Sequence, residues 1–215
     1  MQIRQAVSLP TPSVMKSRPV DHRGFPVPYF VTRKAPDGNW DFTYICPDRF
    51  KEVVKFEKCW VSGQPLGRFK AFCLGPMGVA TRTSGDPPVT REIGNWAVQI
   101  CPYMLRARAR RSETKAGLNE LPHAGGSVTL TRNPGVVAVW VSKNSKFEQG
   151  SGFDIGDPVE VTWWCEGRPA VRADIEDSIT HGFENAKKTI PKNRPGDVQR
   201  LTAMVEASKV HWPAA

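Results

Sequence analysis

Proline and glycine punctuate this chain so often that no long regular element can run through it. Among 215 residues there are nineteen prolines and eighteen glycines. Each proline fixes φ and removes a backbone donor, and each glycine invites a turn. What remains is room for short strands, tight turns and helices that begin just after a proline. Forty per cent of the residues are hydrophobic and seven are tryptophan, enough at this length to bury a core. The expected class is α+β, with two small sheets or one mixed sheet and a carboxy-terminal helical hairpin. Residues 1–20, holding Pro10, Pro12 and Pro19, read as an extended arm; 21–168 read as the core; 169–215 read as a helical hairpin packed on it.

Local patterns fill in that outline. Tyr29 to Arg33 and Trp40 to Ile45 flank "APDGN", whose Asp-Gly suits the turn of a β-hairpin. In "PDRFKEVVKFEKC" the residues Phe50, Val53, Val54 and Phe56 fall mainly on one side of a short helix entered through Pro47. "GRFKAFCLGP" alternates Phe69, Ala71 and Cys73 with Lys70, Phe72 and Leu74, as a strand does. "SGDPPVTREIGNWAVQICPYM" predicts a helix with Asp86 as N-cap, prolines in its first turn and Cys101 near its end, within reach of Cys59. "VVAVWVSK" and "PVEVTWWCEG" read as strands joined by a glycine-rich excursion over 144–158. Two helices follow: one presents Ile175, Ile179, Phe183, Ala186 and Ile190; the other, capped by Asp197, presents Val198, Leu201, Met204, Val205 and Val210. Pro191 and Pro195 separate them.

"EKCWVSGQPLG", from Glu57 to Gly67, has the outline of a metal knuckle: a cysteine, two residues, a would-be ligand, then glycine. Ser62 stands at the would-be ligand position. The five cysteines (Cys46, Cys59, Cys73, Cys101, Cys165) are odd in number and irregularly spaced. That does not fit a secreted disulfide framework, and they are expected as reduced thiols. No run of about 18 apolar residues occurs, and the amino terminus lacks a signal-type apolar stretch. A cytoplasmic protein with no membrane span is expected.

Net charge is +9 and the isoelectric point near 9.5, which favours a polyanionic partner, either nucleic acid or an acidic protein face. "LRARARRSETK" is the densest cluster, with Arg106, Arg108, Arg110, Arg111 and Lys115. Alternate arginines share one face of an extended segment, so this basic patch would contact phosphate as an arm; its other reading is a solvated loop. Trp163 and Trp164 are adjacent in a strand, so they face opposite ways, and the one left outside the core would stack on a base or anchor a partner. For catalysis, His22 in "VDHRG" is the best histidine, with Asp21 to orient it and Arg23 to hold an anion; its other reading is a polar turn. No phosphate-binding loop spacing occurs. Asp174, Glu176 and Asp177 sit where they complement a helix dipole.

The blocks "DHRGFPVPYFV", "CWVSGQPLGRFKAFCLGPMG", "PPVTREIGNWAVQICP", "RNPGVVAVWV" and "WWCEGRPAVRADIEDSI", in that order, resemble a family of hypothetical proteins from bacteriophages and bacterial genomes. The resemblance covers about Asp21 to Lys188. In that family the knuckle reads Cys-x-x-Cys-Gly, a cysteine follows the Gly-Pro-Met turn, the helix after the double proline opens His-Arg-x-Cys, and a Cys-Pro follows. The resemblance thus implies a structural zinc site of treble-clef or ribbon type. Only Cys59 and Cys101 survive here; Ser62, Gly78, Thr90 and Ile93 occupy the other places. Zinc takes four nitrogen or sulfur ligands, so two thiolates need recruits such as Cys46, Cys73 or His22. The centre is expected as a degenerate zinc knuckle held by packing, with no metal and no cofactor.

Together these readings lead to a non-enzymatic, phage-encoded accessory protein that binds a host macromolecule through a basic surface, for example inhibiting a defence or transcription complex. The alternatives are a direct nucleic-acid-binding protein and a virion or other structural protein.

Overall fold

The longest apolar run in the chain becomes its central strand. In the computed structural model, which describes residues 9–105, 135–191 and 193–214, every residue of Val136–Ser142 (β3) is buried. A strand covered on both faces needs no polar alternation. It is flanked by Lys70–Leu74 (β1) and Pro158–Cys165 (β6), and Arg168–Pro169 (β7) completes an antiparallel sheet of order β1-β3-β6-β7. The 144–158 excursion folds into a hairpin, Lys146–Glu148 (β4) and Gly152–Asp154 (β5), which with Thr83–Ser84 (β2) makes a second antiparallel sheet, order β2-β5-β4. Phe72 of β1, Phe153 and Phe147 join the two sheets, with ring centroids 5.8 and 5.0 Å apart. The fold is α+β, as the sequence predicts.

Among the described residues five α-helices clothe these sheets: Pro47–Lys55 (α1), Pro76–Thr81 (α2), Arg91–Ile100 (α3), Arg172–Thr189 (α4) and Pro195–Ser208 (α5). Val139 meets α3 so closely that a Cβ added at Gly94 would lie 3.1 Å from Val139 Cγ1. The neighbouring Trp140 therefore points the other way, where it meets Arg82 and His211. The main sheet is thus covered by α3 on one face and by the end of α2 with the carboxy-terminal segment on the other. Both α4 and α5 contact α2. No helix among the described residues is long and apolar enough to cross a membrane.

Several boundaries differ from expectation. The helix after the double proline is capped by Thr90, whose Oγ1 accepts from Ile93 N at 3.4 Å, and not by Asp86. A residue before proline avoids the helical region, so Asp86 and Pro87 stay outside the helix. Val89 then exchanges two hydrogen bonds with Ala71 at the edge of β1, 2.9 and 2.8 Å. The hairpin expected over 29–45 is reduced to a single bridge between Lys34 and Trp40, closed by a turn with Gly38 at φ +81°. Tyr29 N pairs instead with Val61 O at 2.7 Å, so no ladder can form there. Asp197 lies inside α5, bonded to Arg194 Nε at 2.8 Å, because Pro195 already opens the helix. The described part of the arm is not simply extended: Ser13–Met15 forms a 3-10 turn and Met15 is buried in the core. Of the residues expected on the apolar faces, Phe56, Phe69, Met204 and Val210 are exposed.

Candidate functional site

The knuckle turn exists, and hydrogen bonds between protein groups hold its conformation. Cys59 Sγ accepts from Ser62 N at 3.4 Å, Gly63 N donates to Cys59 O at 2.8 Å, and Cys59 N donates to Gln64 O at 2.6 Å. Ser62 is buried and its Oγ accepts from Gln64 N at 3.3 Å. Gly63 has φ +77°, and a Cβ there would lie 2.5 Å from the Tyr29 ring.

The residues present do not fit the zinc site that the resemblance implies. Thr90 Oγ1 is engaged in capping α3. Ile93 is completely buried, filling with hydrocarbon the place of a ligand. A Cβ at Gly78 would lie 3.2 Å from Thr83 O, so a side chain there would have to push its neighbours aside. Among the described residues no group of three or more His, Cys, Asp or Glu side chains is placed to hold a metal. Of the recruits considered, Cys73 is the one near the surviving pair. Its thiol is pushed up to about 12 by burial, with the charges of Cys101, Asp86 and Cys59 adding to the shift. A thiol held so firmly protonated is a poor nucleophile. No disulfide joins any of the five cysteines, all of which lie among the described residues.

His22 is exposed, and Asp21 does not orient it. The Asp21 carboxylate is buried and accepts from Arg23 N and Phe25 N, both at 2.9 Å, and from Arg23 Nε at 2.7 Å. Those bonds hold its pKa below the ordinary aspartate range against the opposing effect of burial. The motif is a closed polar turn. Trp163 and Trp164 do point to opposite faces: Trp163 is buried with Nε1 donating to His211 O at 2.7 Å, while half-buried Trp164 donates to Thr162 Oγ1 at 3.2 Å. Both bond within the chain. The basic patch Arg106, Arg108, Arg110, Arg111 and Lys115 lies outside the described residues.

A different basic surface emerges where α1 runs into the knuckle. The chain leaves α1 through Glu57, which has φ +47° where glycine is usual, and Lys58 N closes on Val53 O at 3.0 Å. This turn leaves Phe56 outside, 56% exposed. Glu57 forms an ion pair with Lys70, which brings the start of β1 alongside, and there Phe69 is 43% exposed. Lys55 and Lys58 ammonium groups lie 5.1 and 5.7 Å from the Phe56 ring centre, and Lys143 lies 5.2 Å from that of Phe69.

Beside this face Arg49, Lys58 and Tyr29 share one carboxylate. Glu52 accepts from Tyr29 Oη at 2.7 Å, from Lys58 Nζ at 2.6 Å and from Arg49 Nη1 at 2.7 Å. The bonds from Lys58 and Tyr29 hold its pKa down at about 2. Arg18 lies on the same tyrosine, 5.6 Å from the ring centre, and burial and Arg49 lower its affinity for a proton. Glu52 and Glu57 are thus consumed internally. Lys55, Arg68 and Lys143 are exposed and make no ion pair among the described residues.

Sequence reasoning missed this face because it grouped Phe56 with the apolar side of a helix and read Phe69 only as one of the alternating residues of a strand, without saying which face is covered. The signal was present in "KFEK" and "RFK", where each phenylalanine is flanked by cations. No family model, no curated protein and no solved structure matches the chain.

Proposed function

We propose that the protein is a non-enzymatic binder of an anionic macromolecule and that the Phe56–Phe69 face is its contact surface. The observation that carries this reading is a pair of exposed phenylalanines, each with an exposed lysine over its ring, Lys55 at Phe56 and Lys143 at Phe69, on segments tied by the Glu57–Lys70 ion pair, with exposed Arg68 next to Phe69 in sequence; none of the three cations has a carboxylate partner among the described residues. Burial of exposed aromatic carbon supplies affinity, and unpaired cations supply attraction and orientation toward negative charge. The resemblance to phage proteins extends the reading: an accessory protein in the host cytosol, acting on a host macromolecule.

Retention on immobilised heparin tests the face. The wild type is expected to elute above physiological ionic strength, and the triple variant Lys55→Glu, Arg68→Glu, Lys143→Glu at clearly lower salt. These three side chains are exposed, so the fold should tolerate their exchange. Unchanged elution of the triple variant, with a drop on changing Arg106, Arg108, Arg110 and Arg111 to Glu, would move the contact to that cluster and refute the assignment.

A further inference from the structure

Resting on the reading of the Phe56–Phe69 face as the anion contact, we infer that its partner is single-stranded nucleic acid, with bases stacked on Phe56 and Phe69 and phosphates held by Lys55, Arg68 and Lys143. Large exposed aromatic rings beside mobile cations are what a sequence-tolerant single-strand site requires, because every base offers a π-face and every linkage a charge. A duplex offers its bases no free face without unstacking. It would leave both phenylalanines in water.

The distinction between these rings and the other cation-covered aromatics of the protein supports the choice. Trp40, Phe42 and Tyr44 alternate along the chain, topped by Lys34, Arg23 and Arg33 at 5.3, 5.0 and 4.1 Å. Arg23 and Arg33 are themselves anchored by Asp21 and Asp41, at 2.7 and 2.9 Å. All three rings are half-buried, and Phe42 and Tyr44 are lidded by guanidinium groups fixed in place, which a base cannot displace; only Trp40 lies under an exposed lysine, Lys34. At Phe56 and Phe69 the covering cations include the exposed Lys55 and Lys143, on flexible stems. Such an ammonium can leave the ring for a phosphate at little cost.

The backbone adds a separate indication. Glu57 holds a left-handed conformation next to Phe56, which is unfavourable for a residue with a Cβ. Strained residues of this kind persist where the surroundings or a binding role require them. Here the strain projects Phe56 outward while Glu57 ties the chain to Lys70.

The test is fluorescence anisotropy with labelled oligothymidylate and oligouridylate of about 15 nucleotides, within the range such sites occupy, and a duplex of equal length, each over a salt series. Phe56→Ala and Phe69→Ala are each expected to weaken single-strand binding by about tenfold or more with the salt slope unchanged. Phe56→Trp should restore it. Lys55→Glu with Lys143→Glu should make the slope shallower by about 1.4, two contacts at ~0.7 each. The two oligomers tell whether the sugar matters and either preference supports the inference. Equal losses on duplex and single strand, or no loss from either alanine variant, would overturn it. Heparin retention dependent on this face without any oligonucleotide binding would also overturn it, leaving an acidic protein as partner and the anion-contact reading intact.

Discussion

At Gly63 the absence of a side chain does two things at once. Its φ of +77° suits glycine, and the Tyr29 ring occupies the space where a Cβ would point. Gly63→Ala would combine a left-handed alanine, costing about 1–2 kcal/mol, with a 2.5 Å approach to an aromatic ring. Tyr29 cannot retreat freely, since its hydroxyl donates to Glu52 and Arg49 lies 4.2 Å from its ring centre. The expected loss is at least about 2 kcal/mol, read as a lowered denaturant midpoint with unchanged slope. A loss below about 0.5 kcal/mol, the range of inert surface changes, would mean that the knuckle turn is not held as described. The glycine was legible as a turn residue. That Tyr29 sits on it was not, because the two are distant in sequence.

The helices show how a single side chain sets a boundary. Thr90 occupies the place of the histidine ligand in the resembling family and here caps α3 through Ile93 N. Thr90→Ala should cost about 1 kcal/mol and Thr90→Ser much less; equal melting temperatures for the alanine variant and wild type would remove the cap from the account. The existence of α1, α3, α4 and α5 was legible from apolar spacing, as were β1, β3 and β6. Their starts were not all legible. Proline both permits a helix at its first position and forbids helical geometry to the residue before it, and a double proline decides in favour of the second effect. The same ambiguity explains why Asp86 and Asp197 looked like caps. The expected hairpin at 29–45 failed because Tyr29 found a longer-range partner in Val61.

In the molecule as a whole, the carboxy-terminal segment latches the two sheets together. Arg82, at φ +57°, lies 4.5 Å from the ring centre of buried Trp140 and donates to Gly156 O at 3.0 Å. His211 Nε2 is 3.3 Å from Arg82 Nη2, its ring packs edge-on to Trp140, and Asp157 lies 3.6 Å from Arg82. Burial, and then the Arg82 charge, lower the His211 pKa; Asp157 opposes them weakly. The folded state therefore binds that proton less readily than the unfolded chain, so this contribution is present above pH ~6.5 and is lost as pH falls through the folded pKa. Stability measured by denaturant titration should decline from pH 7 to pH 5, and His211→Gln should flatten that decline. A decline of equal steepness in the variant would assign the effect to other groups.

What the sequence determined by itself was local or compositional. Proline and glycine density set short elements, the Val136–Val141 run set a buried strand, and adjacency of Trp163 and Trp164 set them on opposite faces, since alternation follows from strand geometry alone. Only the tertiary structure decided which apolar residues remained outside. Phe56 and Phe69 carry patterns compatible with burial, and their exposure depends on a left-handed turn at Glu57 and on an ion pair between residues thirteen positions apart. Burial is a property of the whole packing arrangement: the core has a finite surface to cover, and periodicity says which residues share a side, not which side is covered.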